Sequence, residues 1–263
     1  MNTPWKLKLL LIFSFTVMSV CAHSGDPAKG LEIAKEMKKR DEGWVDTLAE
    51  TQMILRSPDG RESIRDIRVK TLEILEDGDK SLTIFDQPRD VAGTAFLSFS
   101  HPVGPDDQWI YLPAIKRVKR IATRNKSGPF MGSEFAYEDM ASFEIEKYTF
   151  AYLQDDTFND IDCFVVEQVP VDKYSGYKRQ VAWIDKEHYR VHKIEYYDRK
   201  NALLKVLTMD EYEQYENKFW RALRADMENV QTGKSTTLLT SDIVFKTGLD
   251  EQDFDKNALR RAR

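Results

Sequence analysis

The chain has few of the residues on which catalysis and metal binding are usually built. Its 263 residues include two cysteines and four histidines. Cys21 lies at the end of an apolar leader, so Cys163 is left alone and no intrachain disulfide can form once the leader is gone. Cys163 sits in the largely apolar stretch 161–169 and reads as a small buried hydrophobe. His188 and His192 are four apart, but the alternation over 191–197 puts His192 on a strand and His188 in the turn before it. The helical two-histidine zinc pattern therefore does not apply, and no metal site is expected. There is no Gly-x-Ser-x-Gly elbow and no glycine-rich phosphate loop, and no histidine lies near Cys163 in sequence. A hydrolase would have to place His101 or His188 beside a nucleophile. We expect no catalytic residue and no cofactor.

An excess of basic charge is also missing. The formal net charge is −5, and the leader holds Lys6 and Lys8 but no acid, so the rest of the chain is more acidic still. Nucleic acid is not an expected partner. A hydrophobic content of 41% allows a core but not a membrane bundle, and one domain is the natural division. The uncharged, mainly apolar run 9–20 follows the two lysines and ends at Val20-Cys21-Ala22. It is short for a bilayer span and reads as a cleaved signal peptide over residues 1–22, leaving one domain over 23–263. Acylation at Cys21 is the competing reading, but Val20 is a poor residue before a lipidated cysteine.

What is present is mostly strand. Asp26-Pro27 has helix-start chemistry, and Leu31, Ala34 and Met37 recur at helical spacing, so one amphipathic helix opens the domain and ends near Gly43. After it the period becomes two. Strands are expected over 47–55, 63–75, 80–86, 94–100, 109–112 and 116–121. A second series follows over 146–153, 162–169, 179–184, 191–197, 203–212, 219–229 and 235–244. Turn residues such as Asp59-Gly60 and Asp77-Gly78 bound them, which indicates an antiparallel meander. Residues 250–259 read as a last short helix or turn. Such a sheet can curl around a cavity or fold into a sandwich, and its period does not separate the two.

Residues 108–140, QWIYLPAIKRVKRIATRNKSGPFMGSEFAYEDM, are the most distinctive stretch. Phe130, Met131, Phe135 and Tyr137 stand on a Gly/Ser/Pro connection that also holds Gly132. Connections usually run over the surface and are polar, so apolar groups here suggest a cover over something greasy. Glu138-Asp139 reads as the acidic first turn of a helix, an arrangement the helix dipole favours. Lys116, Arg117, Lys119 and Arg120 read as solvated charges that protect a sheet edge, or as a contact for anionic head groups or an acidic partner. Phe96, Trp109, Tyr111, Phe150 and Trp183 sit at alternate strand positions. Each alone is ordinary core; with the apolar loop they suggest a lined pocket under a movable cover.

These residues resemble the LolA-like family of outer-membrane lipoprotein-sorting proteins, in the branch found beside RND-type exporters. The matching pieces are Asp59-Gly60, PRDVAGTAFL over 88–97, WIYLP over 109–113, RVKRI over 117–121 and FMGSEFAYED over 130–139. They continue with Tyr196-Tyr197-Asp198, Lys205, Met227-Glu228-Asn229 and TGKST over 232–236. The resemblance implies a mainly β (α+β) fold: a strongly curved antiparallel sheet or incomplete β-barrel, with an N-terminal helix and short helices covering its open side. It further implies a monomeric periplasmic carrier, not an enzyme, whose cargo is lipid or lipoprotein acyl chains. Phe96, Trp109, Tyr111, Phe150 and Trp183 would line the cavity and residues 130–137 would form its lid. A non-carrier accessory docking on an RND-type inner-membrane exporter through the same loop is the alternative.

Overall fold

The computed structural model of the protein describes residues 25–261. The expected signal peptide, Cys21 and Arg263 lie outside the described residues. Helix α1 (Pro27–Arg40) begins where its capping chemistry stands: the Asp26 carboxylate accepts from the Lys29 N–H at 3.0 Å and Pro27 fills the first turn. Lys38, Lys39 and Arg40 complete the last turn, opposite in sign to the helix C-terminus. Among the described residues no helix is long and apolar enough to cross a membrane.

Thirteen strands follow. They are β1 (Asp46–Arg56), β2 (Glu62–Leu72), β3 (Lys80–Gln87), β4 (Ala95–Phe99), β5 (Asp107–Leu112), β6 (Arg117–Arg120), β7 (Tyr148–Phe158) and β8 (Ile161–Pro170). The rest are β9 (Tyr177–Asp185), β10 (Val191–Asp198), β11 (Leu203–Tyr215), β12 (Phe219–Asn229) and β13 (Lys234–Phe245). All lie in one antiparallel sheet ordered β6-β5-β4-β3-β2-β1-β13-β12-β11-β10-β9-β8-β7. The expected meander is therefore observed, with β1 paired to β13 at its centre and β6 and β7 left as edges. The fold is the curved, unclosed antiparallel sheet that the resemblance implies.

Cross-strand register decides which side chains share a face, because directly opposed residues point the same way. Phe96 opposes Ile110, while Leu97 opposes Trp109 and Ala95 opposes Tyr111. Phe96 and Ile110 join Met53, Ile67, Phe85 and Phe130 in one core on the inner face. Trp109 joins Leu72, Leu82, Ile84, Ala95 and Leu97 on the outer face, and Tyr111 packs against them. Both faces of this half of the sheet are covered, which accounts for the unbroken burial of Leu82, Thr83, Ile84 and Phe85. The outer cover is the C-terminal segment: the 3-10 turn Glu251–Phe254 and helix α2 (Ala258–Arg261) bring Phe254, Ala258 and Leu259 onto the strands. In the other half, α1 lies on the inner face, where Ile33 and Ala34 meet Phe150, Val166, Ala182 and Ile184. Gly30 is required there, since a Cβ would stand 2.6 Å from the Tyr152 nitrogen on β7.

Candidate functional site

Residues 121–147 join the two edge strands, so they must pass across the open side of the half-barrel. The run is a series of 3-10 turns over Thr123–Asn125, Phe130–Gly132, Tyr137–Met140 and Ile145–Lys147. Its centre is a tight loop in which the Phe130 N–H donates to the Phe135 carbonyl at 2.7 Å and the Ser133 hydroxyl donates to the Phe130 carbonyl at 2.7 Å. The turn needs a left-handed backbone at Met131 (φ 50°) and Gly132 (φ 78°), which an unbranched side chain and a glycine supply.

This loop drives two aromatic rings inward. Phe130 is fully buried, 5.0 Å from the Phe96 ring, 5.9 Å from Phe85 and 5.7 Å from Tyr137. Phe135 enters the other half, among Tyr177, Tyr196, Leu207 and Met227. A movable cover over a lined pocket was expected. The structure instead shows a plug, because a connection between the two edges of an unclosed barrel has the concave face beneath it rather than solvent.

Polar groups fasten the plug. The Lys205 ammonium donates to Asp139 at 2.7 Å and to the Glu134 carbonyl at 2.8 Å; the Tyr177 hydroxyl donates to Asp139 at 2.8 Å, and the Ala136 N–H at 2.6 Å. Lys205 and Asp139 are both buried. Gln108 donates to the Tyr137 carbonyl at 2.9 Å, Arg65 to the Met131 carbonyl, and the Glu134 N–H to Thr236 at 3.0 Å. Glu138 accepts from the Ser175 hydroxyl and the Gly176 N–H, both at 2.8 Å, and burial raises its pKa above the usual carboxylate value. Burial also pushes the Tyr177 and Tyr196 hydroxyls well above their ordinary pKa. Glu138 and Asp139 do sit in a first turn, that of Tyr137–Met140, but their main partners are on β9, β11 and the β8–β9 turn.

Two cavities flank the plug. The larger, about 760 Å³, opens at the rim formed by the end of α1 and the β2–β3, β9–β10 and β11–β12 turns. Met37, Trp44, Phe143, Val191, Met209 and Trp220 form its apolar wall. Charged groups crowd its mouth, largely in pairs: Lys38 with Glu144, Arg221 with Asp41 at 2.6 Å, and Arg190 with Asp185 at 2.7 Å. Burial works against the Asp185 charge, but donation from His192, the His188 N–H and Arg190 holds its pKa well below the ordinary value. Asp79 is different. Burial and the nearby Glu144 and Glu73 push it from 3.8 up to about 6, against donation from the Ile74 N–H and Ser142. The smaller cavity, about 430 Å³, lies at the opposite rim between the plug and β9–β12, with Phe135, Tyr177, Leu204 and Lys205 in its wall.

None of the five aromatic residues expected to line a cavity lines either one. Phe96 faces inward but is covered by Phe130, and Phe150 is covered by α1. Trp109 and Tyr111 are on the outer face. Trp183 is on the outer face as well, since it opposes Val165 and Lys193 while its neighbour Ala182 packs inward; its indole N–H donates to Asp156 at 2.9 Å. Alternation says which residues share a face, not which face is concave. Arg117, Lys119 and Arg120 do lie on an edge strand, with Lys116 in the turn before it, and all four are exposed. Val118 packs against the outer core and opposes Tyr111, so the basic residues split between both faces. Lys205 was not singled out for a role, although a lysine between Leu203 and Leu207 on the inward period of β11 was a signal that something anionic waits inside.

The three histidines among the described residues are accounted for by local packing. His101 contacts Asp77 at 2.9 Å, His188 lies 4.9 Å from the Trp220 ring, and His192 contacts buried Asp185 at 3.1 Å. Cys163 is buried, and burial lifts its thiol pKa to about 11. Among the described residues no group of three His, Cys, Asp or Glu side chains is arranged to hold a metal ion.

The raised Asp79 has a consequence for stability. Between pH values of about 4 and 6 the folded state holds a proton that the unfolded chain has released, so stability falls as pH rises through that window. Asp79→Asn is expected to stabilise the protein by about 1–2 kcal/mol at pH 7.5 and to flatten that slope. Urea titrations of both proteins at pH 4.5 and 7.5 check it; an unchanged slope would refute the assignment.

A family model whose description reads "-like: Uncharacterized protein" matches residues 77–261. The structure is similar to that of a protein from Vibrio parahaemolyticus provisionally named an outer membrane lipoprotein-sorting protein domain. Identity is 63%, the TM-score is 0.89, and the match covers 90% of this chain and all of that one. A DUF1329 family protein from Desulfovibrio piger is 29% identical, with a TM-score of 0.84 over 89% of this chain and 99% of that one. A LolA superfamily protein from Nitrosomonas europaea shares the fold at 19% identity, with a TM-score of 0.71 over 87% and 98% of the two chains. No curated protein matches the sequence.

Proposed function

This chain belongs to the LolA-like family of outer-membrane lipoprotein-sorting proteins, and on that premise we propose that it is a periplasmic carrier of acyl chains. The observation that supports this reading is a cavity of about 760 Å³ left open on the concave side of the half-barrel. That volume falls within the roughly 300–1,000 Å³ of small-molecule sites. Met37, Phe143, Val191 and Met209 would take hydrocarbon, each buried methylene contributing about 0.8 kcal/mol. The paired charges at the mouth would meet the polar end of the cargo. Phe130 and Phe135 would stand in for cargo when the carrier is empty and yield space to a longer chain when the plug shifts. The protein would act as a monomer after removal of residues 1–22, with no catalytic step.

The accessory reading, docking on an RND-type exporter through residues 130–137, finds less support. Phe130 and Phe135 point inward and are not available on the surface. The two readings part in one measurement. Native mass spectrometry of protein purified from the periplasm of its own cells should show retained lipid, released by delipidation with a fall in thermal midpoint. Protein that carries no lipid and does not change on delipidation would end the carrier reading.

A further inference from the structure

The two rims of the half-barrel differ in charge. In an antiparallel meander successive turns alternate between rims, and contacts along one rim join its turns into a continuous surface. A Cβ on Gly93 would lie 3.8 Å from Pro113, and one on Gly233 would lie 3.5 Å from Pro58. Gln231 donates to Asp198 at 3.2 Å, and Arg199 donates to the Tyr174 and Ser175 carbonyls at 3.1 and 2.9 Å. Arg89, Lys116, Lys173, Arg199 and Lys200 all stand exposed on this rim, and none forms a salt bridge among the described residues; of the acids in the same turns, Asp59 pairs with Arg61 and Asp172 with Lys126, which leaves Asp90 and Asp198 against the five cations. Most of the other lysines that reach an acid lie elsewhere, as in the pairs Lys38–Glu144, Lys80–Glu251 and Lys246–Glu216. The opposite rim, around the larger cavity, is mixed but carries more acids, among them Asp41, Glu42, Glu73, Glu76, Asp77 and Asp79, than cations, which include Lys38, Lys39, Arg40, Arg190 and Lys218.

Apolar side chains stand between the cations. Ile115, Val171, Tyr174 and Val230 occupy the β5–β6, β8–β9 and β12–β13 turns and are 40–60% exposed. Ile115 is followed by Lys116, the Lys173 ammonium lies 5.0 Å from the Tyr174 ring, and Val230 donates its N–H to the Leu204 carbonyl beside the Arg199-Lys200 turn. Short apolar tips interleaved with unpaired lysine and arginine are the pattern of a surface that enters the head-group layer of an anionic bilayer. A basic protein partner would be repelled, and an uncharged bilayer would gain nothing from the cations.

We propose that this basic rim docks on anionic phospholipid membrane, inserting Ile115, Val171, Tyr174 and Val230 at the interface while Lys116, Lys173 and Lys200 meet the head groups. The proposal deepens the carrier reading by saying which end of the protein faces the bilayer. The smaller cavity beside Phe135 opens at that end, so the plug is what the membrane surface meets. The acidic rim and the larger cavity then point away from it.

Co-sedimentation of the purified protein with phosphatidylcholine vesicles, with and without phosphatidylglycerol, tests this. Binding is expected only with the anionic lipid and should weaken as salt rises. The triple change Lys116→Glu, Lys173→Glu, Lys200→Glu should lower the partition coefficient by at least about 100-fold, from about five-fold per lost cation. Ile115→Ser, Val171→Ser, Val230→Ser should lower it while leaving salt dependence intact, and Leu75→Ser, Val103→Ser on the acidic rim should leave it unchanged. The proposal is overturned by no binding, by equal binding to both vesicles, by capture of an acidic protein without vesicle binding, or by equal loss from the acidic-rim variant. Far-ultraviolet circular dichroism and thermal midpoint keep the variants comparable. Lipid retained on native mass spectrometry separates the two ideas: retention without vesicle binding sinks the rim alone, and vesicle binding without retention sinks the carrier alone.

Discussion

Lys205→Ala is expected to destabilise the protein by about 3–5 kcal/mol. The ammonium holds Asp139 and the Glu134 carbonyl from the inward face of β11, and both charges of the pair are buried. Removing the cation leaves a buried carboxylate with only the Ala136 N–H and the Tyr177 hydroxyl as donors. Asp139→Ala should cost a similar amount, because the lysine is then stranded. The double variant should be far less damaged than the two losses added together, since neither charge remains to be compensated. Urea denaturation of the four proteins gives the coupling energy directly. A loss below about 1 kcal/mol for Lys205→Ala would mean the pair behaves like an exposed one, and the latch would have to be reassigned.

Phe130→Ala and Phe254→Ala are each expected to cost about 3–5 kcal/mol, as large aromatic side chains removed from sealed sites do. The two rings are buried on opposite faces of the same strands, Phe130 against Phe96 and Phe85, Phe254 against the cluster that contains Trp109 and Leu97. Their stability losses should therefore match while their effects on cargo differ. Emptying the inner face adds space next to the plug, so Phe130→Ala should retain more lipid than the parent protein. Phe254→Ala, on the outer face, should retain the same amount. Equal retention in all three proteins would show that the plug does not share its site with acyl chains.

Much of the fold is legible because two periods and a set of turn residues carry it. Asp26-Pro27 marks the start of α1, and period-two runs mark the strands, with Asp59-Gly60 and Asp77-Gly78 between them. Strand 63–75 was read too long because Ile74 and Leu75 continue the apolar pattern, whereas the ladder stops at Leu72, where the Glu73 carboxylate turns to accept from the Gly43 and Val45 N–H groups. The site is less legible for two physical reasons. Alternation cannot tell inside from outside when both faces of a sheet are covered, so Trp109 looks like Phe96. A loop rich in Gly, Ser and Pro looks like surface, and nothing local reveals that its two ends belong to opposite edges of one sheet. That fact lies in the β1–β13 pairing.

That pairing bears on how the chain folds. Residues near the two ends of the described chain, such as Thr47 and Phe245, oppose each other at the middle of the sheet, while its outer edges come from mid-sequence. Each six- or seven-strand meander can zip from local hairpins, but the concave surface does not exist until β13 seats against β1 across nearly two hundred intervening residues. Contacts of such separation close late and slowly. The half-barrel therefore gains its interior in one long-range step, and a chain truncated before β13 would hold two ladders and no container.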